Sequence, residues 1–202
     1  MKKMTTAAIL AAGLLTAGFA AAQATVGQPA PAFTAVDTAG KQVSLDSYKG
    51  KYVVLEWVNP DCPFVKKHYD SGNMPATQKH AAAKDVVWLS VSTSGDATKN
   101  PKVATSLNSW TKEKSATPTA LVLDDGKIGR AYGAKTTPHM YLIDPAGKIV
   151  YAGAIDSKPS SNASDIASST NYVIQAIDEA KAGKAVSKPV TQPYGCSVKY
   201  AS

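Results

Sequence analysis

An apolar run, Tyr52-Val53-Val54-Leu55-Glu56-Trp57-Val58, leads through the turn Asn59-Pro60-Asp61 to Cys62-Pro63 and then Phe64-Val65-Lys66-Lys67-His68-Tyr69. A strand with one wet face would alternate polar and apolar residues. This run does not, so residues 51–59 are expected as a central strand covered on both faces. Pro63 fits a first helical turn, where its missing N–H would have no partner anyway. The spacing predicts a helix from Pro63 to about Ala83, interrupted or kinked at Gly72, Asn73 and Pro75. Cys62 then sits at a helix start, at the carboxyl end of a buried strand, where open α/β sheets place their sites. Unpaired N–H groups and the helix dipole favour thiolate there, and the thiolate is the reactive form. The alternative for Cys62 is a structural half-cystine or an inert buried thiol.

The rest of the chain follows the same alternation. After an extended lead-in over residues 26–33, Phe33 to Asp37 and Lys41 to Leu45 form a small hairpin around Thr38-Ala39-Gly40. Further strands are expected over residues 85–93, 119–124, 140–144 and 148–155, with a tight turn at Pro145-Ala146-Gly147 between the last two. Helices are expected over residues 101–114 and 165–182, with a helical turn or loop at 127–134. Residues 183–202 read as a tail without helical pattern that carries Cys196. The fold class is α/β: a mixed sheet flanked by helices, with an N-terminal β-hairpin.

The first 24 residues are expected to be a signal peptide rather than part of the fold. Lys2 and Lys3 precede an apolar stretch from Ala7 to Ala22, and Ala20, Ala22 and Ala24 offer cleavage points. The stretch is too short and too rich in small residues for a membrane anchor. The mature chain is therefore expected to begin between Gln23 and Thr25 and to be periplasmic or secreted. It divides into a domain over residues 25–183 and a tail over 184–202. The formal charge is +7, with Arg130 the sole arginine and the lysines scattered. No basic stripe interleaved with aromatics is visible, so nucleic acid is not an expected partner. Two cysteines in an exported chain permit one disulfide, and no Cys or His at short spacing accompanies Cys62. Neither a metal nor another cofactor is expected.

Several segments together carry a resemblance. They are Val26-Gly27-Gln28-Pro29-Ala30-Pro31-Ala32-Phe33, Asn59-Pro60-Asp61-Cys62-Pro63-Phe64, Thr136-Thr137-Pro138-His139-Met140-Tyr141-Leu142-Ile143-Asp144, Pro145-Ala146-Gly147-Lys148 and Tyr151-Ala152-Gly153. The chain resembles the exported thioredoxin-like redoxins of the alkyl hydroperoxide reductase/thiol-specific antioxidant group, over nearly all of the mature sequence. The resemblance implies a thioredoxin-like fold with Pro138 a cis-proline facing Cys62. It also implies Thr137 backbone exposed to a substrate or partner strand. An X–Pro bond is the one cheap cis peptide, which agrees.

The departures from the family are equally specific. Where thioredoxins carry a second cysteine this chain has Val65, so Cys62 cannot form the short motif disulfide. Where peroxiredoxins carry Thr or Ser three residues before the cysteine and Pro seven before it, this chain has Asn59 and Leu55. The Asn59 amide could still donate a hydrogen bond to a peroxide oxygen. Lys66 adds positive potential near the sulfur or is a solvated surface lysine, while Asp61 works against the thiolate. His68 falls on another helix face, and His139 is left open as a neighbour. Glu56 needs a partner if it is buried. Cys196 is the candidate second thiol, since the chain after Gly183 reaches about 40 Å when extended, against a radius of gyration of about 15 Å. Two functions follow. One is a thiol–disulfide oxidoreductase or thiol-dependent peroxide reductase, with Cys62 as nucleophile, Cys196 resolving, and Asn59, Thr137 and Pro138 holding a peroxide or protein-disulfide substrate; an outside thiol would be its reductant. The other is a redox-inactive binding or chaperone-like module stapled by a Cys62–Cys196 disulfide.

Overall fold

The computed structural model describes residues 24–200. The predicted signal peptide, all but its last residue, lies outside them. Nine strands and five helices follow in chain order: β1 Thr34–Asp37, β2 Gln42–Ser44, β3 Tyr52–Trp57, α1 Pro63–Asp70, α2 Asn73–Ala83, β4 Val86–Thr93, α3 Pro101–Glu113, β5 Ala120–Asp124, α4 Lys127–Tyr132, β6 Thr136–Thr137, β7 His139–Ile143, β8 Ile149–Gly153, α5 Tyr172–Lys181 and β9 Cys196–Ser197. Seven strands form one mixed sheet in the order β2-β1-β5-β4-β3-β7-β8. The centre is parallel, β3 with β4 and β4 with β5, and β7 runs antiparallel to β3. The expected α/β architecture and the N-terminal hairpin are both present.

β3 is central because it is apolar on both faces. Leu55 and Trp57 pack into one core with Leu89, Val91, Val122 and Tyr141. Val54 and Val58 pack into the other with Cys62, Tyr69, Trp88 and Met140, and that layer is closed by α5. The hairpin turn is tied by Asp37, whose Oδ1 accepts from the Ala39 and Lys41 amides at 2.8 Å each. Asp144 repeats the device between β7 and β8, accepting from Ala146 and Lys148 at 3.0 and 2.8 Å.

The interruption expected between Pro63 and Ala83 is a full break into two helices at Ser71 and Gly72, where Gly72 adopts φ 76°. Two expectations change. Pro75 does not break the chain; it occupies the first turn of α2, where no N–H is needed. The last helix starts at Tyr172 and not at Asp165, because the Asn171 side chain accepts from the Val173 and Ile174 amides and sets the helix start there. Asp165 belongs to a separate 3-10 turn, Ala163–Ser168.

Over its described residues the tail has no helix, as expected, and it is docked along its length. It follows β8, with Ala152 donating to Pro189 and accepting from Thr191 across the strand edge. It then forms β9 against β6, buries Val198, and ends with the Tyr200 hydroxyl donating to the Ala134 carbonyl at 2.7 Å. Gly129 of α4 makes room for that ring, since a Cβ there would stand 2.7 Å from the Tyr200 hydroxyl.

Candidate active site

Cys62 caps α1 in extended backbone, φ −74° and ψ 123°, and its carbonyl accepts from Val65 and Lys66 at 3.0 and 2.9 Å. β3 delivers the residue to the end of the sheet, and the Asn59 turn fixes it there. The Asn59 carbonyl accepts from the Cys62 amide at 3.1 Å, and the Asn59 side chain accepts from the Asp61 amide at 3.0 Å. Facing the sulfur is the Thr137–Pro138 peptide, which is cis. Cys62 Sγ donates to the Thr137 carbonyl at 3.0 Å.

Cys196 completes the cluster. β9 pairs with β6 in the register Thr137 opposite Cys196, and the Cys196 amide donates to Cys62 Sγ at 3.4 Å. Both cysteines are free thiols, Cys62 buried and Cys196 half-buried. The backbone of Thr137, expected to be open to a partner strand, is therefore taken by the chain's own tail.

The two thiols are made unequal by this contact. Burial alone would raise the Cys62 pKa. Hydrogen bonds from the Cys196 thiol, from the Thr137 side chain and from the amides of Cys196 and Val65 outweigh it, and the net shift is down. Cys196 moves the other way, to about 11, by burial, by its hydrogen bond to Cys62 and by the negative charge developing there. Cys62 is the thiol that ionises first and Cys196 the one that keeps its proton.

The remaining candidates find other partners. Lys66 is exposed and Asp61 is exposed. His139 Nδ1 accepts from the Lys135 amide at 3.2 Å, and burial lowers its pKa to about 4. Glu56 is fully buried, receiving hydrogen bonds from Tyr69, Trp88 and Ser90 at 2.8 Å each. His68 contacts Tyr194 and Asn73. Sequence reasoning passed over Lys67, which is buried, while its exposed neighbour Lys66 drew attention. The helical period that sets which of the two turns inward was legible, but its partners Asp156 and Lys158 lie about ninety residues away. On the other side of the Cys62 loop, Asn59, Pro60 and Asp61 line an open cleft of about 600 Å³ with Lys102, Trp110 and Lys199. Among the described residues, no three His, Cys, Asp or Glu side chains converge to hold a metal ion. No helix among them is long and apolar enough to cross a membrane.

A mixed sheet with a cysteine at the helix start after its central strand, opposed by a cis-proline, defines a thioredoxin-fold redoxin. The family model of the AhpC/TSA family matches residues 26–152, and the chain belongs to that family. Cys62, Thr137 and Pro138 fall inside the matched segment, whereas Tyr194 and Cys196 lie beyond it. The chain is 29% identical over 124 residues to the thiol-disulfide oxidoreductase ResA of Bacillus subtilis, covering 61% of this chain and 64% of that protein's length. A solution structure of a thiol:disulfide interchange protein from Bacteroides sp. superimposes with a TM-score of 0.52 at 28% identity, over 64% of this chain and 81% of that one. The crystal structure of an uncharacterized conserved protein from Geobacillus kaustophilus matches 89% of this chain and 94% of its own, with a TM-score of 0.69 at 23% identity. The chain is thus a thioredoxin-fold protein related to thiol-disulfide oxidoreductases.

Proposed function

We propose that this protein is an exported thiol–disulfide oxidoreductase in which Cys62 and Cys196 form one reversible disulfide couple. The observation that carries the reading is the placement of the Cys196 amide 3.4 Å from Cys62 Sγ, with the Cys62 pKa lowered and the Cys196 pKa raised. The contact supplies the second thiol that Val65 does not. Cys62 thiolate attacks a substrate disulfide, forming a mixed disulfide and releasing one substrate thiolate. Cys196 gives up its proton, attacks the Cys62 sulfur, and releases the second substrate thiolate, leaving the Cys62–Cys196 bond. An outside thiol returns the pair to the dithiol. Pro138 and Thr137 shape the wall opposite the sulfur, and Asn59 lines the adjoining cleft where a partner would rest.

Protein disulfides fit this site better than peroxide. The Asn59 side-chain oxygen is held by the Asp61 amide, Leu55 packs in the core, and the relatives at 28–29% identity are thiol-disulfide proteins. Alkylation of the two thiols across a pH series, followed by peptide mapping, tests the assignment. Cys62 is expected to label with a midpoint below that of free cysteine and Cys196 with a midpoint well above it. Equal midpoints would remove the basis for assigning the nucleophile.

The competing reading, a permanent staple, is favoured by one observation: Cys62 is only 1% exposed beneath the tail. The reduction potential separates the two. A structural disulfide lies below roughly −300 mV, and a working one lies higher.

A further inference from the structure

Tyr194 of the tail is seated among polar groups that are buried on α1 and beyond β8. On α1, the side chains of Lys67 and His68 are fully buried, and that of Asp156, beyond β8, is 1% exposed. Lys67 Nζ lies 3.4 Å from Asp156 Oδ2 and donates to the Lys158 carbonyl at 2.9 Å. The Tyr194 hydroxyl donates to Asp156 Oδ1 at 2.5 Å and stands 3.1 Å from His68 Nε2. The Asn73 amide nitrogen, which can only donate, sits 2.8 Å from His68 Nδ1. Nδ1 therefore accepts, Nε2 carries the proton, and His68 donates to Tyr194. One hydrogen-bonded chain runs from Asn73 through His68 and Tyr194 to Asp156. The ring itself packs edge-on against Phe64 at 5.9 Å, with Lys67 Nζ 5.6 Å from its centroid. Removing the ring would strip partners from His68 and Asp156 in the interior, where unsatisfied polar groups are costly.

The helix that grips Tyr194 is the helix that Cys62 caps. Phe64, Lys67 and His68 follow Cys62 within two turns of α1. Tyr194 precedes Cys196 by two residues, and Gly195 between them presses its backbone on Thr137. A Cβ at Gly195 would collide with the Thr137 carbonyl. A single rigid element thus fixes both ends of the contact. A tail held only by flexible chain would offer its thiol at roughly millimolar effective concentration, and fixing it in place raises that figure.

Resting on the reading of Cys62 and Cys196 as a redox pair, we propose that Tyr194 is its positioning residue. Seated among Phe64, Lys67, His68 and Asp156, it holds Cys196 against the Cys62 sulfur and so sets the equilibrium of the Cys62–Cys196 disulfide.

The test is equilibration of the full chain with mixtures of reduced and oxidised glutathione, acid quenching, and counting of free thiols by mass. Glutathione disulfide oxidises the two thiols to one disulfide and leaves as two glutathione molecules carrying the protons. Tyr194→Ala is expected to lower the equilibrium constant about tenfold or more, equivalent to about 30 mV. Tyr194→Phe keeps the ring against Phe64 and loses both hydroxyl contacts, so a fall of about threefold is expected. A tyrosine with a merely structural role would lower the urea midpoint and leave the constant unchanged, which would overturn the proposal. Where Tyr194→Ala does not fold, Tyr194→Phe decides, and an unchanged constant again overturns it. A wild-type chain that forms no Cys62–Cys196 disulfide defeats the redox-pair reading, and this one with it. A wild-type disulfide with variants at parity defeats this one alone.

Discussion

At the residue scale, reactivity is set by what touches the Cys62 sulfur rather than by the cysteine itself. The Cys196 thiol and amide, the Thr137 side chain and the Val65 amide lower its pKa against the opposing effect of burial. The approach of Cys196 depends in turn on Gly195, which has φ 136° and lies on the Thr137 carbonyl. Replacing it with alanine is expected to disfavour the docked tail by more than about 1 kcal/mol, because the new Cβ meets both strain and collision. Gly195→Ala should therefore weaken Cys62–Cys196 pairing about fivefold or more in a glutathione titration. Pairing at the wild-type level would show that the tail backbone can withdraw without moving the thiol.

At the element scale, Glu56 explains how an otherwise apolar strand keeps a carboxylate. It joins three elements, because Tyr69 of α1 and Trp88 and Ser90 of β4 all donate to it from around β3. Burial raises its pKa despite these donors. Glu56→Leu leaves three buried donors without their acceptor. At about 1–3 kcal/mol for each unsatisfied group, a loss of at least ~3 kcal/mol in urea unfolding is expected. A loss below ~1 kcal/mol would mean that water replaces the carboxylate. The apolar period placed β3 and the start of α1 within a residue or two. The partners of Glu56 come from residues 13 to 34 positions away, and nothing local announces them.

At the scale of the whole molecule, two buried histidines give the fold an acid sensitivity. His68 and His139 both have pKa values of about 4, lowered first by burial. Above about pH 6.5 each is neutral folded or unfolded, and its full contribution to stability is present. As pH falls from 6.5 towards 4, the unfolded chain takes up protons that the folded chain refuses, and stability drops. Each group adds at most about 1.4 kcal/mol per pH unit in that window, and the effect levels off below it. Glu56 acts in the opposite sense, since its raised pKa lets the folded state hold a proton longer. Urea unfolding of wild type and His139→Asn from pH 7 to pH 4 isolates one histidine. The variant should lose part of the slope between 6.5 and 4, and parallel curves would show that His139 is not buried as a neutral ring.

The sequence by itself determined what short-range chemistry controls. Uniform apolarity made β3 central, Pro63 and the turn at Asn59 put Cys62 at a helix start, and Asp37, Gly40, Asp144 and Gly147 closed the hairpins. Val65 in place of a second motif cysteine was also plain to read. The tertiary structure alone decided where residues 184–200 go. That segment has no period of its own, and its conformation is imposed by distant surfaces: the edge of β8, the Tyr194 pocket, the backbone of Thr137 and the Gly129 cradle. Its contacts span sequence separations of 126 and 134 residues at His68 and Cys62. Strand and helix formers act over a few residues, but a docked tail is held by side chains that meet only once the sheet is built.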